Sequence, residues 1–286
     1  NMARLTQSQA DSLFWLIPAL FTVIGALSVT PALWLDSLGR LAVIFCGGNL
    51  VLSLFWEYVS GYLAVPLGQR LQHFKTSAPM YVKEAKEATM CMFVVATLAA
   101  WPYTQYHRGE PTAFKDTFAE TTIVSYPIAY YVGKMIFTTL VADTHTFWKH
   151  YLLHTPIIYP IHKLHHTFHN PSTFAGFAIH PVEAILTFGP IPLLCLPQLA
   201  LYMPIHLPYL VILGLLNLYL HCGYAIPFLE WLLPKLFINT SVWHNKHHEL
   251  SVSHFGEMLT VWDYILVRRC WDYILVRRCW DYILVR

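Results

Sequence analysis

The chain has 286 residues, of which 56% are apolar and only 12% charged, with a formal net charge of +2. Soluble domains carry about 25% charged residues, so this chain cannot cover a water-facing surface all round, and much of it faces lipid. So small and scattered a charge also excludes nucleic-acid binding.

The first apolar run, residues 12–35, is long and is followed by no clean small-residue cleavage site, so it reads as an anchor rather than a cleaved signal. Three further runs, 41–65, 88–106 and 121–142, are near the roughly 20 residues a spanning helix needs. Glu57 and Lys134 interrupt two of them, and charges at such depth face protein or water, or snorkel to the interface. The loop after the second run carries Arg70, Lys75, Lys83 and Lys86, whereas the neighbouring turns carry fewer cations, diluted by acids. The excess places residues 66–87 in the cytoplasm. Two more crossings return the chain to that side after residue 142. The next apolar stretch, 184–220, is broken by Pro190, Pro192, Pro197, Pro204 and Pro208. It reads as a hairpin, because an odd number of crossings would separate its two ends by about 30 Å.

The cysteines, Cys46, Cys91, Cys195, Cys222, Cys270 and Cys279, have no paired spacing and several lie in apolar runs. They read as small hydrophobes rather than disulfides or metal ligands. The terminus repeats WDYILVRRC at 262–270 and 271–279, and again without its last two residues. An unchanged repeat this short matches no repeat architecture, and no function is expected of residues 268–286.

Histidines concentrate in three short motifs: HYLLH at 150–154, HKLHH at 162–166 and HNKHH at 244–248. On a helix, positions i, i+3 and i+4 share a face, so each motif fans its imidazoles toward one point. A single histidine is most often hydrogen-bonded or exposed. Three such clusters on one side of a membrane point instead to metal, since neutral imidazole is the commonest side-chain ligand. Eight or more histidines exceed one ion's capacity and imply two, for which iron, copper, nickel and zinc all suit imidazole.

The three motifs in this order, with IHPVE (His180, Pro181, Glu183), HCGYAIP (His221, Gly223) and VWD following the last box, resemble the fatty acid hydroxylase and sterol desaturase superfamily of membrane di-iron oxygenases. The resemblance covers roughly residues 140–267 and in motif looks most like the sterol methyl oxidase branch. It implies an all-α integral membrane bundle of about four transmembrane helices plus the apolar hairpin, with a histidine-rich helical cap on the cytoplasmic side. Residues 1–142 would be the membrane part, 143–267 the catalytic region and 268–286 the terminal repeat. Carried over position by position, it implies ten metal ligands: His150, His154, His162, His165, His166, His180, His221, His244, His247 and His248. It makes the metal two iron ions and O2 the co-substrate. Asp143 and Glu183 become candidates to accept the outer N–H of a ligand histidine; an N-cap or surface acid is the plainer role for either. No catalytic residue beyond these is implied.

The sequence departs from the pattern at His145, at Tyr151 and in lacking Gly-Thr after WD, and it adds His169 and His254. The chain has no glycine fingerprint for a nucleotide and no haem-attachment motif, so its electrons are expected from a b-type cytochrome or an NAD(P)H-dependent reductase. The expected product is a hydroxylated or desaturated lipid of sterol or fatty-acyl type. The expected location is a multi-pass membrane position, in the endoplasmic reticulum of a eukaryotic cell. Two other readings use the same residues: a di-metal lipid hydrolase or isomerase, and a non-catalytic subunit of a larger membrane complex that retains the fold.

Overall fold

The computed structural model describes residues 31–67, 69–71, 78–115, 128–169 and 171–266, together with 6–9, 12 and 23. Most of the run 12–35, part of the loop 66–87, residues 116–127 and the repeat at 268–286 lie outside the described residues.

Helix α1 (Pro31–Ala42) passes through a π-helical turn, Val43–Gly47, directly into α2 (Gly48–Leu67). The break expected between residues 35 and 41 is therefore absent. Asp36 and Arg40, which lie in the gap between those two apolar runs, stand one helical turn apart and pair at 2.8 Å on an exposed face, an arrangement that supports helix.

Helix α3 (Ala78–His107) spans 30 residues, about 45 Å, and forms the middle of the bundle. Its small side chains Ala96 and Ala100 let Trp34, Leu38 and Leu41 of α1 pack against it, as close helix approach in membranes requires. Its opposite side, with Cys91, Met92, Val95 and Leu98, packs on Ile179 and on Ala184 of α6 (Pro181–Phe188). Protein rather than lipid covers this helix, which explains why its apolar run is modest. Among the described residues, Pro31–Val59 and Met203–His221 are long and apolar enough to cross a bilayer. Helix α4 (Ile128–Leu153) has the length, at 26 residues, but not that apolarity. It still turns Ile136, Phe137, Leu140 and Val141 outward.

The proline-broken stretch descends and returns. Below α6, the chain continues in 3-10 turns at Ile191–Cys195 and Pro197–Leu199, because prolines withhold the amides an α-helix needs. It turns at β3 (Leu201–Tyr202) and climbs back as α7 (Met203–His221). The tip is tied to the segment after α3, where β3 pairs with β2 (Phe114–Lys115) and the Ala113 amide donates to Leu194 O at 2.9 Å. Lys134 donates to the carbonyls of Leu199 and Ala200 at this tip, and Glu57 accepts from Tyr81 and Thr173. Both buried-span charges thus face protein.

At the opposite end, α5 (Tyr159–His166), α9 (Ser241–Leu250) and α10 (Val261–Leu266) build a cap. A short pairing of β1 (Gln69–Arg70) with β4 (Tyr224–Ala225) joins it to the end of α2.

Candidate metal centre

Each histidine motif lies on or just beyond a helix end at the cap. His150 occupies the last turn of α4, and His154 follows it by one residue after Leu153. Helix α5 starts with Pro160 in its first turn and presents His162, His165 and His166. The Thr240 hydroxyl caps α9 by accepting the Trp243 amide at 3.4 Å, and that helix presents His244, His247 and His248. His221 closes α7.

These nine imidazoles form two groups, His150, His154, His162, His166 and His247 in one, and His165, His221, His244 and His248 in the other. Helices α5 and α9 each contribute to both. The groups adjoin, the rings of His166 and His248 being 5.1 Å apart and those of His165 and His166 5.6 Å.

In the first group, His166 Nε2 lies 3.1 Å from His154 Nε2, 3.1 Å from His162 Nε2 and 3.2 Å from His247 Nε2. The protons are already committed elsewhere. His150 Nδ1–H donates to Phe255 O at 2.8 Å and His247 Nδ1–H to Ser253 O at 2.8 Å. His162 Nδ1 meets both oxygens of Glu183 at 2.9 Å. The Nε2 atoms of these neutral rings are consequently lone pairs. A single N–H on His166 cannot satisfy three neighbours, and His150 Nε2 has no partner at all. Converging buried lone pairs are unfavourable unless a cation lies between them. Nitrogens that share an ion at about 2.1 Å stand roughly 3.0–3.4 Å from one another, which matches the observed spacing.

The second group has the same character with looser support. His221 Nδ1–H donates to Asn217 O at 2.9 Å, and His221 Nε2 is 3.0 Å from His244 Nε2. His165 is backed by the Ala178 carbonyl, whereas His244 Nδ1 and both nitrogens of His248 are buried without partners. The residues present therefore fit two metal ions.

Burial first, and then the neighbouring imidazoles, hold His150, His162, His165, His244, His247 and His248 well below the usual histidine range. His154 is lowered to about 4, mainly by burial. Neutral imidazole is the form that binds metal. Burial raises the Glu183 carboxyl to about 8, with Lys149 opposing the rise.

The remaining sequence candidates lie elsewhere. His180 is buried but outside both groups; its Nδ1 accepts the Val182 amide at 3.1 Å and caps α6. A neutral ring that accepts at Nδ1 carries its proton on Nε2. Asp143 receives the Leu259 amide at 2.8 Å rather than an imidazole, and burial raises its carboxyl to about 6. His169 is exposed. His145 is exposed too and reaches Leu186 O at 2.9 Å, a carbonyl left free because Pro190 has no amide to offer it. His254 is buried beside Trp243, with ring centroids 4.3 Å apart.

Several groups that shape the centre lie outside the histidine motifs, and of them only Asp263, in VWD, is part of the sequence pattern. Ser253 O and Phe255 O are backbone atoms. Asp263 holds the loop that supplies them, accepting the amides of Phe255 and Gly256 at 2.8 Å, and Asn239 Nδ2 donates to Gly256 O at 2.6 Å. Lys149 and Glu257 pair at 2.8 Å behind the first group.

A helical membrane-type bundle carrying two adjoining all-histidine groups defines a histidine-box metalloprotein. The fatty acid hydroxylase family model matches residues 135–267, and this region is similar to proteins of the fatty acid hydroxylase and sterol desaturase superfamily. Lathosterol oxidase from Rattus norvegicus is 31% identical over 127 residues, covering 43% of this chain and 40% of that protein. Delta(7)-sterol 5(6)-desaturase erg3B from Aspergillus fumigatus is 28% identical over 199 residues, 68% of this chain and 55% of that one. Methylsterol monooxygenase erg25A from the same organism is 27% identical over 140 residues, 47% and 46% respectively. The chain thus spans about half the length of the curated relatives it matches. No solved structure matches it.

Proposed function

We propose that the chain is a multi-pass membrane oxygenase that hydroxylates or desaturates a C–H bond of a lipid, of sterol or fatty-acyl type. Its cap faces the cytoplasm, and in a eukaryotic cell its membrane is the endoplasmic reticulum. The observation that carries this reading is the pair of adjoining histidine groups whose Nε2 atoms converge at 3.0–3.2 Å at the end of the bundle. The names of the relatives, all sterol oxidases, desaturases or monooxygenases, favour a sterol, with methyl oxidation one of its candidate reactions.

In this reading, His150, His154, His162, His166 and His247 hold one iron ion and His165, His221, His244 and His248 the other. Bound there, two iron ions supply O2 activation and the oxidation of an unactivated C–H bond. The protein's own part is orientation and dryness. Carbonyls behind His150, His247 and His221, and Glu183 behind His162, fix the tautomers of those imidazoles. Phe255, 5% exposed, lies 5.1 Å from the His154 ring and 5.6 Å from the His247 ring and keeps water from that side. The outward apolar faces of α4 and α7 leave the lipid's hydrocarbon in the membrane while its reacting carbon sits at the cap. Electrons come from a b-type cytochrome or an NAD(P)H-dependent reductase docking on the cytoplasmic side.

The test is metal analysis of anaerobically purified protein, followed by turnover of sterol and fatty-acyl lipids under 18O2 with a reductase present. Two irons per chain and O2-dependent product are expected. Zinc in place of iron overturns the oxygenase reading in favour of a hydrolase or isomerase. Two irons without turnover of any lipid leave a structural subunit.

A further inference from the structure

Lys149 directly precedes the first histidine of the centre, and its side chain is only 7% exposed. Lysine is almost never buried without a partner, and this one has two. Its Nζ lies 2.8 Å from Glu257 Oε1 and 4.0 Å from Glu183 Oε1. Each glutamate in turn stands behind a histidine of the five-membered group. Glu183 places both oxygens 2.9 Å from His162 Nδ1, and Glu257 Oε1 is 3.4 Å from His150 Nδ1. Among the described residues the four-membered group has no such carboxylate, since His221 and His165 are backed by carbonyls and His244 and His248 keep orphaned nitrogens.

We propose that Lys149 is a positioning residue for the five-histidine ion alone, gathering two carboxylates behind His162 and His150 and thereby making that position the tighter one, filled first. The inference rests on the reading that these histidines bind metal. A carboxylate behind an imidazole fixes its orientation and raises its basicity, and such partners are worth about 10–100-fold in metal affinity. Glu183, buried, and Glu257, 29% exposed, hold this arrangement as carboxylates only with the ammonium between them, which opposes the rise that burial imposes on Glu183. Without the ammonium they repel, and one turns away from its histidine.

The experiment is a cobalt(II) titration of the metal-free, full-length protein in detergent, followed by visible absorbance. Wild type is expected to take up two ions in two resolved phases. Lys149→Met should weaken the first phase by about 10–100-fold and leave the second unchanged, while Lys149→Arg should restore it in large part. The double variant Lys149→Met with Glu257→Gln removes one charge of each sign, so the fold keeps its charge balance. It should still show the selective loss, since His150 has lost its carboxylate. Equal weakening of both phases, no change in either, or uptake of both ions in one phase by wild type overturns the proposal. Failure of wild type to bind cobalt at all overturns the metal reading beneath it, which is a different result.

Discussion

Several imidazoles at the centre are oriented by what lies behind them, and most of those partners are backbone atoms. His247 depends on Ser253 O and His150 on Phe255 O. Replacing His165 or His247 with alanine should therefore abolish turnover and lower bound metal while leaving membrane insertion unchanged, since insertion follows apolar length. Metal content and membrane fractionation of the two variants check this, and either variant with full metal and full turnover refutes the assignment. Acid should act in the same place. Histidines with depressed values in the fold take up protons more readily when unfolded, where they titrate near about 6.5. The contribution of these histidines is thus fully present above that value and is lost as pH falls below it, opposed by the raised carboxyl of Glu183. Thermal melts of metal-free protein at pH 7.5 and 5.5 should show a lower Tm at the acid value, and a higher one contradicts the burial of neutral imidazoles.

Elements contribute by holding loops as much as by spanning the bilayer. The loop after α9 is folded around Asp263, whose carboxylate accepts two amides and, at 3.4 Å, the indole N–H of Trp243. Asp263→Ala leaves these donors buried and unpaired, at about 1–3 kcal/mol each. It should lower Tm by several degrees and release metal from the five-histidine group, because Phe255 O and Ser253 O lose their places; differential scanning calorimetry and metal analysis read both effects. The loop after α5 is held likewise, with Ser172 bonded to Glu84 of α3 and Thr173 to Glu57 of α2. These ties explain which parts were legible in the sequence. The i, i+3, i+4 spacing and the prolines at 190–208 report directly on helix faces and broken backbone, so the motifs and the hairpin could be read from residues. Glu57 could be read as a charge needing a partner, but not which partner, because Thr173 is 116 positions away. The turn expected at 36–40 failed for a related reason. Asp36 and Arg40 look like turn residues one at a time and like a helix pair only together. Lys149 gave no signal, since beside a histidine motif it reads as an ordinary surface lysine.

Across the whole molecule, α3 is the ruler. Glu84 near its start bonds Ser172 on the cap side, and Gln105 near its end donates to Pro111 O at 2.6 Å beside the hairpin tip. The 21 residues separating those positions rise about 32 Å, matching a hydrocarbon core of about 30 Å. The two ends of α3 should therefore lie on opposite sides of the membrane, with the cap and its histidines on the side of α3's first turns. Single cysteines at two exposed positions test this on a background in which the native cysteines are replaced by serine or alanine. His169→Cys stands beside the second histidine motif, and Glu110→Cys stands just past α3; Gly109 is avoided because its φ of 73° disfavours any side chain. In sealed microsomes, a membrane-impermeant maleimide should label His169→Cys from the cytoplasmic side at once and Glu110→Cys only after permeabilisation. Labelling of both from outside would mean that α3 does not cross. Labelling in the reverse order would keep the crossing but turn the cap away from a cytoplasmic electron donor, and the reductase would then have to be sought on the lumenal side.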